Sequence, residues 1–331
     1  MTLTIVARAP KALVLGAESR CHYFDAQAGK KTFRDDATKI APFGNKYGVT
    51  LTGQIERLNK SGEPVDLDSL VKSIGREKIS EQPIEDAARI LVEEVKSRIS
   101  IERELSEQEN LLRQVASESG LEIVKVDEVT NVYGIGLSFT LKAEDGEVFE
   151  HKLYLPTTKF NVAGYNLDES GSPDYAVCKI LFPDNFTETL RGDYLRDIGG
   201  AKYGYEACGD TSVNDSVVVW QRNHQRVLDN LHKTPDIEKN RKRIEELLAK
   251  VNGVKSFETP WSKLSPDEAA ELVSDIIELS KLLDGNVGLE KILLDKVSDD
   301  IPQVGGPIDL AVITPKHGFK WHTVKGKRVS L

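Results

Sequence analysis

The opening twenty residues, MTLTIVARAPKALVLGAESR, constrain this chain more than any other stretch. Ile5, Val6 and Ala7 follow almost at once on the start, and residues 12–17, ALVLGA, make a second apolar run. Pro10 and Lys11 lie between the two, so the segment reads as a pair of short strands joined by a tight turn. Chain starts are commonly loose. Here the first residues commit themselves to a buried sheet, which holds the beginning of the chain in one place.

A chain of 331 residues is long enough for a sizeable core, as one large domain or two. Hydrophobic residues at 39% and charged residues at 29% fit an ordinary soluble composition. No apolar run approaches the length of a membrane span. Arg8, Lys11, Glu18 and Arg20 break the N-terminal apolar stretch, so no signal peptide is expected. Cys21, Cys178 and Cys208 are few and widely spaced, form no zinc pattern and suit a reducing compartment. The expected location is therefore cytoplasmic. A net charge of −9 argues against general nucleic-acid binding. His22, His151, His224, His232, His317 and His322 have no ligand spacing, and no metal or cofactor is expected. Tyr133-Gly134-Ile135-Gly136 is a lone glycine pair, too little for a phosphate-binding loop.

Residues 1–58 read as β-rich, and a short helix is expected over 66–74. Ile84, Ala87, Ala88, Leu91, Val92 and Val95 share one face of a helix over 84–99 that starts after Pro83. Residues 100–119 read as a charged helix ended by Gly120. Residues 121–158 alternate apolar and polar around Asp145-Gly146, a hairpin signal. Strands are expected at 160–165 and 175–182, and charged helix over 221–251. Ser265-Pro266-Asp267-Glu268 combines an N-cap, a proline at the first helical position and a capping-box glutamate, with the apolar face of a helix behind it. The end of the chain returns to strands at 308–314 and 319–322 about the turn at 315–318. Strands open the chain, helices fill its middle and strands close it. This order predicts a layered α+β domain whose first and last strands share a sheet.

Thr2 carries the candidate chemistry. Methionine aminopeptidases remove Met1 before a small residue, and that leaves Thr2 with a free α-amine beside its hydroxyl. Such an amine titrates at about 7.7–8.0. It can accept the hydroxyl proton, so one residue supplies both nucleophile and base.

The residues around Thr2 bear a family likeness. The stretch from Thr2 to Arg20 resembles, without a gap, the opening of mature proteasome β subunits and of HslV-type peptidases, which are N-terminal nucleophile (Ntn) hydrolases. Lys39-Ile40, the run GVTLTG over 48–53, NVAGY over 161–165, LSPDEA over 264–269 and GGPIDLAVIT over 305–314 resemble later motifs of the same family in the same order. This resemblance implies a four-layer αββα sandwich in a single domain over 1–331, carrying insertions at 101–158 (helix plus β-hairpin) and 222–260 (helical arm). It implies a threonine peptidase in which Thr2 attacks the carbonyl, Lys39 favours the neutral amine, Glu18 holds Lys39, the Gly53 N–H stabilises the oxyanion and Leu51 lines the substrate pocket. It further implies peptide or unfolded-protein substrates, self-assembly into a homo-oligomeric ring, an ATP-dependent unfoldase as companion, and no nucleic-acid or membrane partner. Two departures stand out. Glu18 replaces the family's aspartate. Asp300, the candidate support for the Thr2 amine, sits one residue early, with Val304 where the family has serine. Two other readings remain open, a catalytically silent structural subunit of the same fold and an amidohydrolase acting on a small amide. Without the resemblance, Glu18 and Lys39 read as a surface ion pair worth about 0–1 kcal/mol, Gly53 as a strand end and Leu51 as a core residue.

Overall fold

The computed structural model describes residues 3–25, 30–131, 134–183, 186–191, 204–209, 241–252, 261–286 and 304–329. Thr2, Asp300 and the 222–260 insertion outside 241–252 lie beyond the described residues. The chain is a mixed α and β protein. In chain order come β1 (Leu3–Ala9), β2 (Ala12–Glu18), β3 (Cys21–Asp25), β4 (Lys30–Arg34), β5 (Ile40–Phe43), β6 (Tyr47–Gly53), β7 (Glu56–Leu58) and β8 (Pro64–Asp66). Helices α1 (Leu67–Lys78), α2 (Ile84–Arg98) and α3 (Ile101–Glu118) follow. Then come β9 (Glu122–Asn131), β10 (Gly134–Lys142), β11 (Val148–Tyr154), β12 (Thr158–Leu167), β13 (Pro173–Phe182), β14 (Phe186–Arg191) and β15 (Gly204–Gly209). Helices α4 (Arg241–Asn252) and α5 (Pro266–Asn286) precede β16 (Ile308–Thr314), β17 (Gly318–Val324) and β18 (Lys327–Arg328).

Two antiparallel sheets organise the protein. One runs β15-β1-β2-β16-β17-β18 and the other β14-β13-β12-β6-β5. The opening hairpin turns at Pro10-Lys11, and every residue of β1 and β2 is buried. β2 pairs on its other side with β16, Ile308 opposite Glu18 and Ile313 opposite Leu13. The first and last strands therefore do share a sheet.

Strand residues alternate between faces, and the core divides accordingly. Val6, Leu13, Leu15 and Ala17 of the first sheet cluster with Ile40, Ala163, Tyr165 and Tyr175, in and beside the second, and fill the space between the sheets. Leu3, Ile5, Ala7 and Val14 face the other way, onto Ala269, Val273, Ile276 and Ile277 of α5. On the far side of the second sheet, Val49, Leu51, Phe160 and Val162 pack with Leu70, Val71 and Ile74 of α1 and Ala88 and Leu91 of α2. Each fully buried Leu, Ile or Val stabilises the fold by about 1.5–3 kcal/mol, so three such layers over-determine the position of both sheets.

The helix ends follow their local chemistry. Asp66 caps α1, its side chain accepting from the amides of Asp68 and Ser69. At α5 the Ser265 amide donates to Glu268 Oε2 at 2.8 Å while Ser265 Oγ accepts from the Glu268 amide at 3.3 Å, a reciprocal capping box. Between α2 and β12 the chain builds a satellite. α3 covers β11-β10-β9 through Leu105, Leu137 and Phe139, and the β10–β11 turn places Gly146 at φ 89°. Among the described residues no helix is long and apolar enough to cross a membrane.

Candidate functional site

The two large sheets are joined at one end by a carboxylate and an ammonium. Glu18 is the last residue of β2 and Lys39 directly precedes β5. Lys39 Nζ lies 2.5 Å from Glu18 Oε1, and both side chains have 0% exposure. The pair is thus a buried bridge between layers, not the surface ion pair that the residues suggest when read alone.

Glu18 is crowded with donors. Its Oε1 also accepts from the Leu3 amide at 3.0 Å. Its Oε2 accepts from the amides of Arg20 at 2.6 Å and Gly305 at 3.2 Å. One side chain therefore fixes the start of β1, the end of β2 and the approach to β16. A buried carboxylate tolerates its charge only with such partners. Lys39 Nζ donates in addition to the Arg20 carbonyl. Burial pulls its pKa below the ordinary 10.5, against the Glu18 carboxylate, which works to raise it.

Contacts around Arg20 and Gly305 brace this bridge. The Arg20 guanidinium grips Asp35 through two contacts, 2.7 and 2.8 Å, and stacks 3.9 Å above the Phe33 ring. Its hydrogen bonds hold the Asp35 carboxyl below the ordinary 3.8. Ser19 Oγ donates to the Asp35 carbonyl at 2.9 Å. The Arg20 amide reaches the Gly305 carbonyl at 3.1 Å, and Lys281 on α5 donates to the Gly306 carbonyl. Burial also lowers the Lys281 pKa from its ordinary 10.5. Gly305 leaves room for the guanidinium, because a Cβ there would stand 2.2 Å from Arg20 Cζ. Val304 is buried beside this turn, in the cluster with α5.

Gly53 ends β6 close by. The Leu51 amide donates to the Lys39 carbonyl at 2.9 Å, which ties β6 to the lysine. In an antiparallel ladder, amides on alternate residues point to the same neighbour. The Gly53 amide therefore projects to the β5 side, beyond the last paired residues, Ile40 and Thr50. There the chain has already turned away, with the Ala37 amide on the Ser19 carbonyl. Gly53 sits at φ 83°, and a Cβ would stand 2.0 Å from the Thr157 carbonyl oxygen, so only glycine fits.

Of the residues singled out by sequence, Glu18 and Lys39 are in contact and Gly53 is on the strand held by the lysine. Leu51 is fully buried in the cluster under α1 and α2, with its surface taken up by the core. Thr2 and Asp300 lie outside the described residues; Leu3, the neighbour of Thr2 in the chain, is held by Glu18. Sequence reading passed over Asp35 and Lys281. Asp35 sits in a polar stretch without periodicity, and Lys281 is one of many lysines on helices, so neither had a signal of its own. Among the described residues no group of three His, Cys, Asp or Glu side chains could hold a metal ion. The chain matches no model of a known protein family and no curated protein.

Proposed function

We propose that this chain is an N-terminal nucleophile hydrolase that cleaves amide bonds with Thr2, and that its two sheets and flanking helices form the αββα sandwich of that class. The observation that carries this reading is the Glu18–Lys39 bridge, buried at 0% exposure and fastened to the amide of Leu3, the residue after Thr2. A buried lysine with a lowered pKa close to the start of the chain suits the activation of an N-terminal hydroxyl.

In this mechanism the Thr2 hydroxyl attacks the amide carbonyl and its proton passes to the Thr2 α-amine. The Lys39 ammonium keeps that amine neutral beforehand and stabilises the negative charge that develops. The carbonyl oxygen becomes an oxyanion facing the Gly53 amide. The C–N bond then breaks, the leaving amine takes the proton from the Thr2 ammonium, and an ester on Thr2 Oγ remains. Water hydrolyses that ester and restores the hydroxyl. Peptides or unfolded proteins are the proposed substrates, within a homo-oligomeric ring served by an ATP-dependent unfoldase.

The mechanism requires Thr2 to be the first residue of the working chain. Intact mass of the purified protein should therefore show the loss of one methionine, and a threonine-directed covalent inhibitor should add its mass to the wild type but not to Thr2→Ala. Retention of Met1 in an active preparation, or labelling of Thr2→Ala, refutes the assignment. Val304 favours a second reading, a silent structural subunit of the same fold. It is buried among apolar side chains where the resemblance calls for a serine hydroxyl. Unlabelled, inactive wild-type protein with Met1 removed selects that reading. A small-amide amidohydrolase would be labelled yet ignore peptides.

A further inference from the structure

We propose that the outer edge of β11 docks a second copy of this chain, strand against antiparallel strand, about a two-fold axis at His151. This inference is independent of the hydrolase reading.

The satellite sheet runs β11-β10-β9, so β11 is an edge strand. Its first five residues are exposed, including Val148 at 57% and Phe149 at 40%. Among the described residues no other strand pairs with that edge. An open, apolar edge is a template for strand addition, and natural proteins normally blunt it. β9, the opposite edge, is blunted: its register against β10 slips between Thr140 and Leu141, leaving Val124 unpaired as a bulge. β11 runs against β10 without interruption from Val148 to Tyr154.

The sequence of β11, VFEHKLY, is complementary to itself. The Ala143 amide bonds to the Glu147 carbonyl and the Leu155 amide to the Ile135 carbonyl. Odd-numbered residues of β11 therefore bond inward to β10, and the backbone groups of Val148, Glu150, Lys152 and Tyr154 point outward. An added antiparallel strand must bond to those four. With His151 on the axis, Glu150 meets Lys152 of the second copy and Lys152 meets its Glu150, both as hydrogen-bonded pairs. Val148 meets Tyr154, and Phe149 meets Leu153 on the face toward α3. Shifting the register by two residues either way sets Glu150 against Glu150 or Lys152 against Lys152, and like charges directly opposite repel. Charge and hydrogen-bond parity thus select the same alignment. A two-fold contact of this kind closes on itself and does not propagate into a fibre. Leu111 and Val115, exposed one turn apart on α3, add apolar surface on the helix that covers the Phe149 face.

The test is the mass of the full chain by light scattering at micromolar concentration. Glu150→Lys places lysines opposite each other, so the particle mass should fall to half that of the wild type. Glu150→Lys with Lys152→Glu restores opposite charges and should restore the mass. Both variants lose the bond from Ser138 Oγ to Glu150, and the charge swap also restores the ion pair between residues 150 and 152 of one chain, 3.5 Å in the wild type; a cross-link, which needs two chains, separates that effect from pairing between copies. In an otherwise wild-type chain, His151→Cys should form an intermolecular disulfide under mild oxidation, which adding Glu150→Lys abolishes. Equal masses for wild type and Glu150→Lys, failure of the charge swap to restore mass, or no cross-link through His151→Cys overturns the proposal. The cross-link decides the matter if circular dichroism shows that Glu150→Lys has lost its fold.

Discussion

Two buried ion pairs join parts of this molecule, and they are built on opposite principles. Arg57–Glu104 fastens the satellite sheet to the main body at 2.6 Å, with side-chain exposures of 1% and 9%. Here the cation has the many partners: Arg57 also reaches Thr158 Oγ1, Pro156 O and Phe182 O at 3.2, 2.5 and 3.3 Å. Among the described residues Glu104 adds only the Leu58 amide. In Glu18–Lys39 the anion is saturated, by three backbone amides and the lysine. The lysine has two described acceptors, Glu18 and the Arg20 carbonyl. An arginine fork stays charged and spreads its hydrogen bonds, which suits a permanent clamp. A buried lysine carries its charge on one atom and can give up a proton. The first pair holds pieces together, while in the proposed mechanism the second would also place an ammonium beside the start of the chain.

The sharpest way to break this distinction is activity. Lys39→Met should lower amide hydrolysis by at least about a hundredfold, the scale of losing one charge-stabilising contact in a transition state. Arg57→Met should leave the turnover of the folded protein within about threefold, because its partners belong to the satellite junction; a parallel collapse in both would merge the two pairs into one structural class. Next in size is stability. Glu18→Ala strands the Lys39 ammonium in the core and should destabilise by about 3–5 kcal/mol. Lys39→Met leaves Glu18 its three amides and should cost less, about 1–3 kcal/mol. Urea unfolding of the two variants measures the gap, and equal losses would contradict the saturated-anion account.

Arg57→Lys sharpens the contrast from the other side. It retains the charge but forfeits the fork, so a loss of about 1.5–3 kcal/mol is expected, the worth of a hydrogen bond to a charged group. The smallest effect belongs to Arg20–Asp35, where the carboxylate is 35% exposed. Arg20 holds the Asp35 pKa below 3.8 in the folded protein. Between the folded value and 3.8 the unfolded chain binds more protons, so this stabilisation is full above 3.8 and drains away as pH falls through the folded value. Unfolding curves at falling pH should show that acid loss in the wild type and a shallower one in Arg20→Gln.

Much of the fold can be read in the sequence, because its strongest signals are local. The apolar runs around Pro10-Lys11 give β1 and β2, Asp145-Gly146 gives the β10–β11 turn, and Ser265 with Glu268 gives the start of α5. The helix expected over 66–74 continues to Lys78, since Ile74 and Gly75 stay buried against the sheet and packing extends what propensity alone would end. Within the β-rich opening, Cys21–Asp25 and Lys30–Arg34 pair as β3 and β4, in a polar stretch with no apolar alternation to mark the two strands. Glu18 and Lys39 could be chosen by type and resemblance. Their burial could not, because it depends on both sheets closing over them. Arg57 and Glu104 gave no hint at all. Each looks like an ordinary surface charge, and what makes them partners is the return of the chain to Pro156 and Phe182, about a hundred residues and more beyond Arg57.

The Gly305 amide that completes the Glu18 carboxylate comes from 287 residues further along the chain, and this sets a timetable. A growing polypeptide has the opening hairpin, Glu18 and Lys39 long before it has β16. Contacts of such long sequence separation form late and slowly, because closing the intervening loop comes before any gain from the contact. The constellation around Lys39 thus stays unfinished until the segment leading into β16 has left the ribosome, and a nascent chain cannot assemble it early.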